Sequence, residues 1–193
     1  MRKLLTWALL LAVALSPMCV QAETDESIFE MLSAMYWYFS SGVGAWSTDL
    51  YILSDGSFSG EFHDSDMGDM ADEYPDGTVY YCAFTGRMSL DGRLDENTLV
   101  IRIDSLEYDR SRPEELIEDG TRYIAAEPYG LSEGDEMLLY RPGTPLRLLS
   151  EDMLLWTHAM EEVNPPDKLE TWFLCSEKNE SGFVGVGISG DLF

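Results

Sequence analysis

The feature that most constrains this chain is a repeated pattern of short runs in which apolar and polar residues alternate, each run bounded by an Asp-Gly or similar turn signal. Alternation carries the two-residue period of a strand with one buried face. From Trp46 to Ile52, the residues Trp46, Thr48, Leu50 and Ile52 fall on one side, with Ser47, Asp49 and Tyr51 on the other. Asp55-Gly56 follows as a hairpin signal, because glycine adopts positive φ without a Cβ clash. Phe58 and Phe62 share a face on the returning strand, with Gly60 between them. Asp76-Gly77 opens Thr78 to Met88, where Tyr80, Cys82, Phe84 and Met88 alternate. Asp91-Gly92 is expected to turn the chain again, into a strand with Leu99, Ile101 and Ile103 inward and Arg102 and Asp104 outward. This pattern is a meander.

Beyond Tyr108 the signal loosens. Asp109 to Asp119 is polar and contains Pro113, which reads as a loop or one helical turn. Arg122 to Ala125 and Glu136 to Arg141 read as short strands, and Thr171 to Ser176 with Phe183 to Ile188 as a last hairpin. Ser150 before Glu151 and Asp152 marks a C-terminal helix with Met153, Leu154, Trp156 and Met160 on its apolar side, stopped by Pro165-Pro166. Ahead of the meander, Ile28, Met31, Leu32 and Met35 sit at helical spacing after Thr24 and Asp25, and Tyr36 to Phe39 favours a strand. The expected fold is mainly β: an antiparallel meander of about eight strands closing into a barrel or a sandwich, with a short N-terminal helix and a C-terminal helix.

Gly44-Ala45-Trp46, the Asp55-Gly56 turn and the meander resemble the opening of lipocalin-like and avidin-like barrels over about residues 42 to 108, which implies a Gly-x-Trp element plugging one barrel end. Ser41 to Gly68, then Pro75 to Tyr80, Glu118 to Tyr123 and Pro128 to Leu131, are similar to an uncharacterised family of bacterial exported proteins and lipoproteins. That resemblance implies an exported domain and brings no activity with it.

The leading segment agrees with export. Arg2 and Lys3 precede an apolar run from Leu4 to Leu15, and Val20-Gln21-Ala22 suits a cleavage site, so residues 1–22 read as a signal peptide and 23–193 as one β-rich extracytoplasmic domain. A lipid anchor at Cys19 is the competing reading, with Met18 and Ser16 in place of the small residue and leucine a lipobox prefers. No later stretch is apolar enough for a spanning helix. Cys82 and Cys175 remain after cleavage and are expected to form a disulfide in an oxidising compartment, with two buried free thiols as the other reading.

Charge excludes one class of partner. A net charge of −24, from 36 acids against 12 Lys and Arg, is the reverse of the basic face that nucleic-acid binding needs. Asp64, Asp66 and Asp69 lie in an acidic loop and offer carboxylate oxygens to a calcium ion. The EF-hand order fails there, since Gly68 is fifth rather than sixth and Pro75 stands twelfth, so a solvated acidic loop stands beside the metal reading. His63 beside Asp64 and His158 beside Trp156 are the two histidines; no nucleophile elbow, zinc motif or phosphate loop accompanies them. Trp46, Tyr80, Phe84, Trp156 and Trp172 either fill the core or line a ligand cavity, and Tyr36-Trp37-Tyr38 offers a strip for a glycan or a partner. Asn179-Glu180-Ser181 matches a glycosylation acceptor. The leading expectation is a non-catalytic binding or surface-interaction domain for a small apolar ligand, a peptide or a glycan. The alternatives are a carboxylate-based hydrolase using the acidic loop near His63, and a purely structural acidic envelope protein.

Overall fold

A computed structural model describes residues 24–159 and 165–188. The expected leader, Cys19 and Met160 lie outside the described residues. Helix α1 (Asp25–Leu32) starts at Thr24, whose hydroxyl accepts the Ser27 N–H while the Ser27 hydroxyl accepts the Thr24 N–H, so two orphan donors are satisfied reciprocally. Strands β1 (Met35–Ser40), β2 (Trp46–Ile52), β3 (Ser57–Asp66), β4 (Thr78–Arg93) and β5 (Thr98–Tyr108) follow as an antiparallel meander. A short hairpin, β6 (Glu115–Glu118) and β7 (Thr121–Ala125), precedes β8 (Glu136–Tyr140). A 3-10 turn at Leu146–Leu148, helix α2 (Glu151–Trp156), β9 (Phe173–Ser176) and β10 (Ser181–Gly187) complete the order.

Eight strands close a barrel in the order β1-β2-β3-β4-β5-β8-β9-β10, with β10 returning to β1 and β3 pairing β4. Closure removes the free edges that an open sheet would expose. The expected barrel is therefore the architecture, and the sandwich is not. The β6–β7 hairpin stands outside the ring, because β7 pairs parallel with Thr78–Tyr81 at the start of β4, and β5 covers the rest of that edge from Phe84 onward.

Alternation decides what lies inside. Leu50, Ile52, Phe58, Phe62, Phe84, Met88, Leu99, Ile101, Ile103, Met137, Leu139, Leu174 and Phe183 fill the interior as one cluster. One mouth is stopped by α1: Ile28, Phe29 and Leu32 are buried, and the Trp37 indole N–H donates to the Leu32 carbonyl at 3.2 Å. The opposite mouth is crossed by the segment from Ala126 to Leu131. There the Thr48 hydroxyl donates to the Tyr129 carbonyl at 2.9 Å and the Ser181 hydroxyl to the Gly130 carbonyl at 3.2 Å. Gly130, at φ +85°, rests on Phe39 and Phe183, where a side chain would collide. A second apolar cluster lies outside the wall, where Met153 of α2 with Leu146, Leu149 and Leu169 covers Phe173, Cys175 and Val184.

Several expectations need correction. Cys82 and Cys175 are free thiols, not a disulfide. Strands β5 and β8 stand between β4 and β9, so at about 4.8 Å per strand the Cα atoms lie far beyond the ~5.5–6 Å a disulfide requires. They also belong to different clusters, Cys82 to the barrel interior and Cys175 to the outer layer under α2. Asp91-Gly92 is not a turn; a bulge between Leu90 and Gly92 lets β4 run on to Arg93, and the reversal comes at residues 94–97. The stretch from Asp109 to Asp119 holds strand β6. Helix α2 ends at Trp156, ahead of His158 at φ 55°, and not at Pro165-Pro166. Among the described residues no helix is long and apolar enough to cross a membrane.

Candidate binding surface on the outer wall

The five aromatic residues expected around a ligand do not form one lining. Phe84 is 2% exposed and packs edge-to-face on Phe58 with centroids 6.3 Å apart. Trp46 and Trp156 do meet, 6.0 Å apart, with Phe39 4.8 Å from each and Tyr129 5.5 Å from Trp46. Tyr129 in turn lies 4.6 Å from Phe62. These rings close the mouth crossed by Ala126 to Leu131. Trp172 sits apart, under the Arg141 guanidinium at 5.2 Å, and Tyr80 packs at the core edge in register with Asp64.

The acidic loop holds its three expected ligands apart. One Asp64 oxygen accepts the Tyr129 hydroxyl at 3.0 Å. An Asp66 oxygen accepts the N–H groups of Gly68 and Asp69 at 2.8 and 3.2 Å, an Asx turn within the loop. Asp69 faces the Arg122 guanidinium at 3.5 Å. Among the described residues no three His, Cys, Asp or Glu side chains are grouped to hold a metal ion.

The outward faces of β1, β2 and β3 carry a different set. Tyr36 and Tyr38, two apart on β1, stack with centroids 6.0 Å apart; Tyr51, opposite Tyr36 on β2, lies 5.4 Å from it; and His158 stacks on Tyr38 at 6.4 Å. The rings thus form one band across two strands and the end of α2. Trp37, expected in the strip, points into the barrel and is fully buried, because successive side chains alternate across the sheet. Tyr51 is 47% exposed.

A polar row adjoins the band. Asp49 accepts the Tyr36 hydroxyl on one oxygen and the Ser47 hydroxyl on the other, the latter at 3.0 Å. Burial and then the Asp49 carboxylate push the Tyr36 hydroxyl well above its ordinary pKa, so it stays a donor. His63 Nδ1 lies 3.3 Å from the Ser47 oxygen. Since Ser47 spends its hydrogen on Asp49, His63 donates and Ser47 accepts. The serine therefore stands between acid and imidazole, whereas nucleophile activation places the imidazole between acid and serine. Asp49, Glu61 and His63 line a cleft of about 330 Å³ with Tyr81, Arg112 and Tyr123.

Tyr51, Asp49 and Glu61 were not singled out in the sequence. Their signal is the polar side of the alternation, which marks an outward face and does not say which outward residues gather. No family model, curated protein or solved structure matches this chain.

Proposed function

We propose that this chain is an exported binding domain, without catalysis of its own, that holds a glycan on the outer wall of the barrel. The observation that carries the reading is the band of Tyr51, Tyr36, Tyr38 and His158, bordered by the hydrogen-bonding row of Asp49, Ser47 and His63. A sugar ring presents C–H faces to aromatic rings and hydroxyls to carboxylates and imidazoles, and this surface offers both side by side. The filled interior, with Phe84 in the core, directs the proposal to the wall rather than the lumen. The relationship to bacterial exported proteins and lipoproteins with a lipocalin-like opening belongs to the same proposal.

The test is calorimetric titration of the protein with cellohexaose and chitohexaose, repeated on Tyr51→Ala. Tyr51 is exposed and holds no core contact, so the variant stays folded. Saturable binding by either sugar, weakened about tenfold or more in the variant, supports the reading. Binding by neither sugar, or binding indifferent to Tyr51, overturns it.

A further inference from the structure

On the edge of β4 away from β3, two segments part company. The Asp109 N–H donates to the Ala83 carbonyl at 2.8 Å as β5 leaves, and the Ala126 N–H donates to the Tyr81 carbonyl at 3.0 Å as β7 ends. The sheet is forked at Cys82. A cleft of about 490 Å³ opens in the fork, lined by Tyr81, Cys82, Tyr108, Arg110, Arg112 and Glu127 among others. That volume lies within the range of small-molecule sites.

The arginines are the unusual part. The Arg110 guanidinium lies over the Tyr108 ring at 5.8 Å and Arg112 over Tyr81 at 5.6 Å. Elsewhere in this acidic chain, Arg87 meets Asp55, Arg102 meets Asp91 and Glu136, and Arg122 meets Asp69 and Glu115. Arg110 and Arg112 form no ion pair among the described residues. The nearest acid in sequence, Asp109, spends one oxygen on the Ser111 N–H at 2.8 Å and the other on the Ser111 hydroxyl at 3.0 Å. The Ser111 hydrogen bonds, and then the Arg112 charge, hold the Asp109 carboxyl below its ordinary pKa, and both arginines line the same cleft. A guanidinium held over a ring at this distance keeps N–H donors to offer, and these match a carboxylate two at a time.

We propose that the fork between β5 and β7 is a binding site for a small carboxylate ligand, gripped by Arg110 and Arg112 against Tyr108 and Tyr81. Asp109, Glu114 and Glu127 line the same cleft, and their charge disfavours polyanions and restricts the ligand to one or two carboxylates. This cleft shares Tyr81, Cys82 and Arg112 with the one lined by Asp49, Glu61 and His63, but Tyr51, Tyr36 and Tyr38, on which the glycan reading rests, line neither.

The experiment titrates ¹⁵N-labelled protein with acetate, succinate and citrate, and separately with inorganic phosphate, at constant ionic strength. Succinate is expected to shift the Arg110 and Arg112 side-chain N–H signals and the Ala126 amide saturably. The Arg110→Gln, Arg112→Gln double variant loses that response, and the double lysine variant weakens it about tenfold or more, since it keeps the charge and loses the planar fork. Arg147→Gln, which removes one positive charge on the 3-10 turn away from this cleft, leaves it unchanged. Absence of saturable shifts, equal binding by the lysine variant, or a response to phosphate without one to carboxylates overturns the proposal. Tyr51→Ala leaves this titration unaltered, so failure here and failure of the glycan reading are told apart.

Discussion

Phe58 and Phe84 sit diagonally across β3 and β4, each ring laid over its own cross-strand glycine: Phe84 covers Gly60, and Phe58 covers Gly86. The glycines weaken the strands they sit in, but each opens the space one ring needs. A methyl at Gly60 would overlap the Phe84 ring and the Asp49 carbonyl, and one at Gly86 the Phe58 ring and the Ser105 carbonyl. Gly60→Ala and Gly86→Ala are each expected to cost about 1–3 kcal/mol, as overpacked cores do. Urea unfolding followed by tryptophan fluorescence measures the loss. Gly92→Ala has nothing within 4 Å of the new methyl and serves as the neutral control.

The free thiols give a second expectation. Burial pushes the Cys82 thiol up to about 11 and Cys175 up to about 12. Both stay protonated at neutral pH, where the thiolate is the reactive form. The folded protein is therefore expected to resist Ellman's reagent at pH 8 and to release two thiols from these positions in denaturant. Dithiothreitol should leave the melting temperature unchanged. A fall of several degrees on reduction would show that the two cysteines are cross-linked.

The same burial sets an alkaline limit. Tyr140 is also raised, to about 12, by burial first, and Cys82 and Cys175 start from an ordinary value of 9.0. A group raised in the folded state loses its proton first in the unfolded chain. Its contribution is thus whole below the unfolded value and drains away as pH climbs through the folded one. Stability should fall from about pH 9 onward and steeply between pH 10 and 12. Thermal melts across that range read it directly, and Cys175→Ala should flatten the lower part of the decline.

How much of this was legible beforehand depends on whether a feature is local. The Trp46 to Ile52 strand, its buried side and the Asp55-Gly56 turn follow from a period of two and one permissive residue, and the structure reproduces them. Asp91-Gly92 carries the same turn signal, yet becomes a bulge, because the favoured reversal lies further on, where the Asp95 carboxylate accepts the Asn97 N–H at 2.7 Å. Strand β6 was hidden by its composition, Glu-Leu-Ile-Glu, which has no alternation, although Asp119-Gly120 at φ 49° and 82° is a turn of the type that joins hairpins. The parallel β4–β7 pairing, and hence the fork holding Arg110 and Arg112, depends on which distant strand takes the edge that β5 leaves. The cysteine pair failed for a related reason: counting shows that two thiols remain, and not that they point to opposite sides of the wall. The Tyr36 and Tyr38 strip was visible, but its partners Tyr51 and His158 come from other elements.

Among the described residues, Asp135 is the one acidic side chain in the buried polar set, at 2% exposure, where β8 begins. Its oxygens accept Lys178 Nζ at 2.9 Å and the Asn179 side-chain amide, both from the turn between β9 and β10. Its own carbonyl accepts the Ile103 N–H at 2.9 Å, so the residue ties β5 and the β9–β10 turn together at the start of β8. The two donors are unequal. Lys178 is 78% exposed and recovers water when its partner is lost, whereas removing the carboxylate leaves the amide unpaired beside a void. Asp135→Ala is expected to cost about 1–3 kcal/mol, and Lys178→Ala about 1 kcal/mol or less. The Asn179 amide nitrogen is also the atom a glycan would occupy in the acceptor motif, and Ser181 of that motif is fully buried. Expression in a glycosylating host is thus expected to leave Asn179 unmodified in wild type and to modify it in Asp135→Ala only if the turn opens. Intact-mass measurement on both proteins, beside their urea midpoints, separates an opened turn from a merely weakened one.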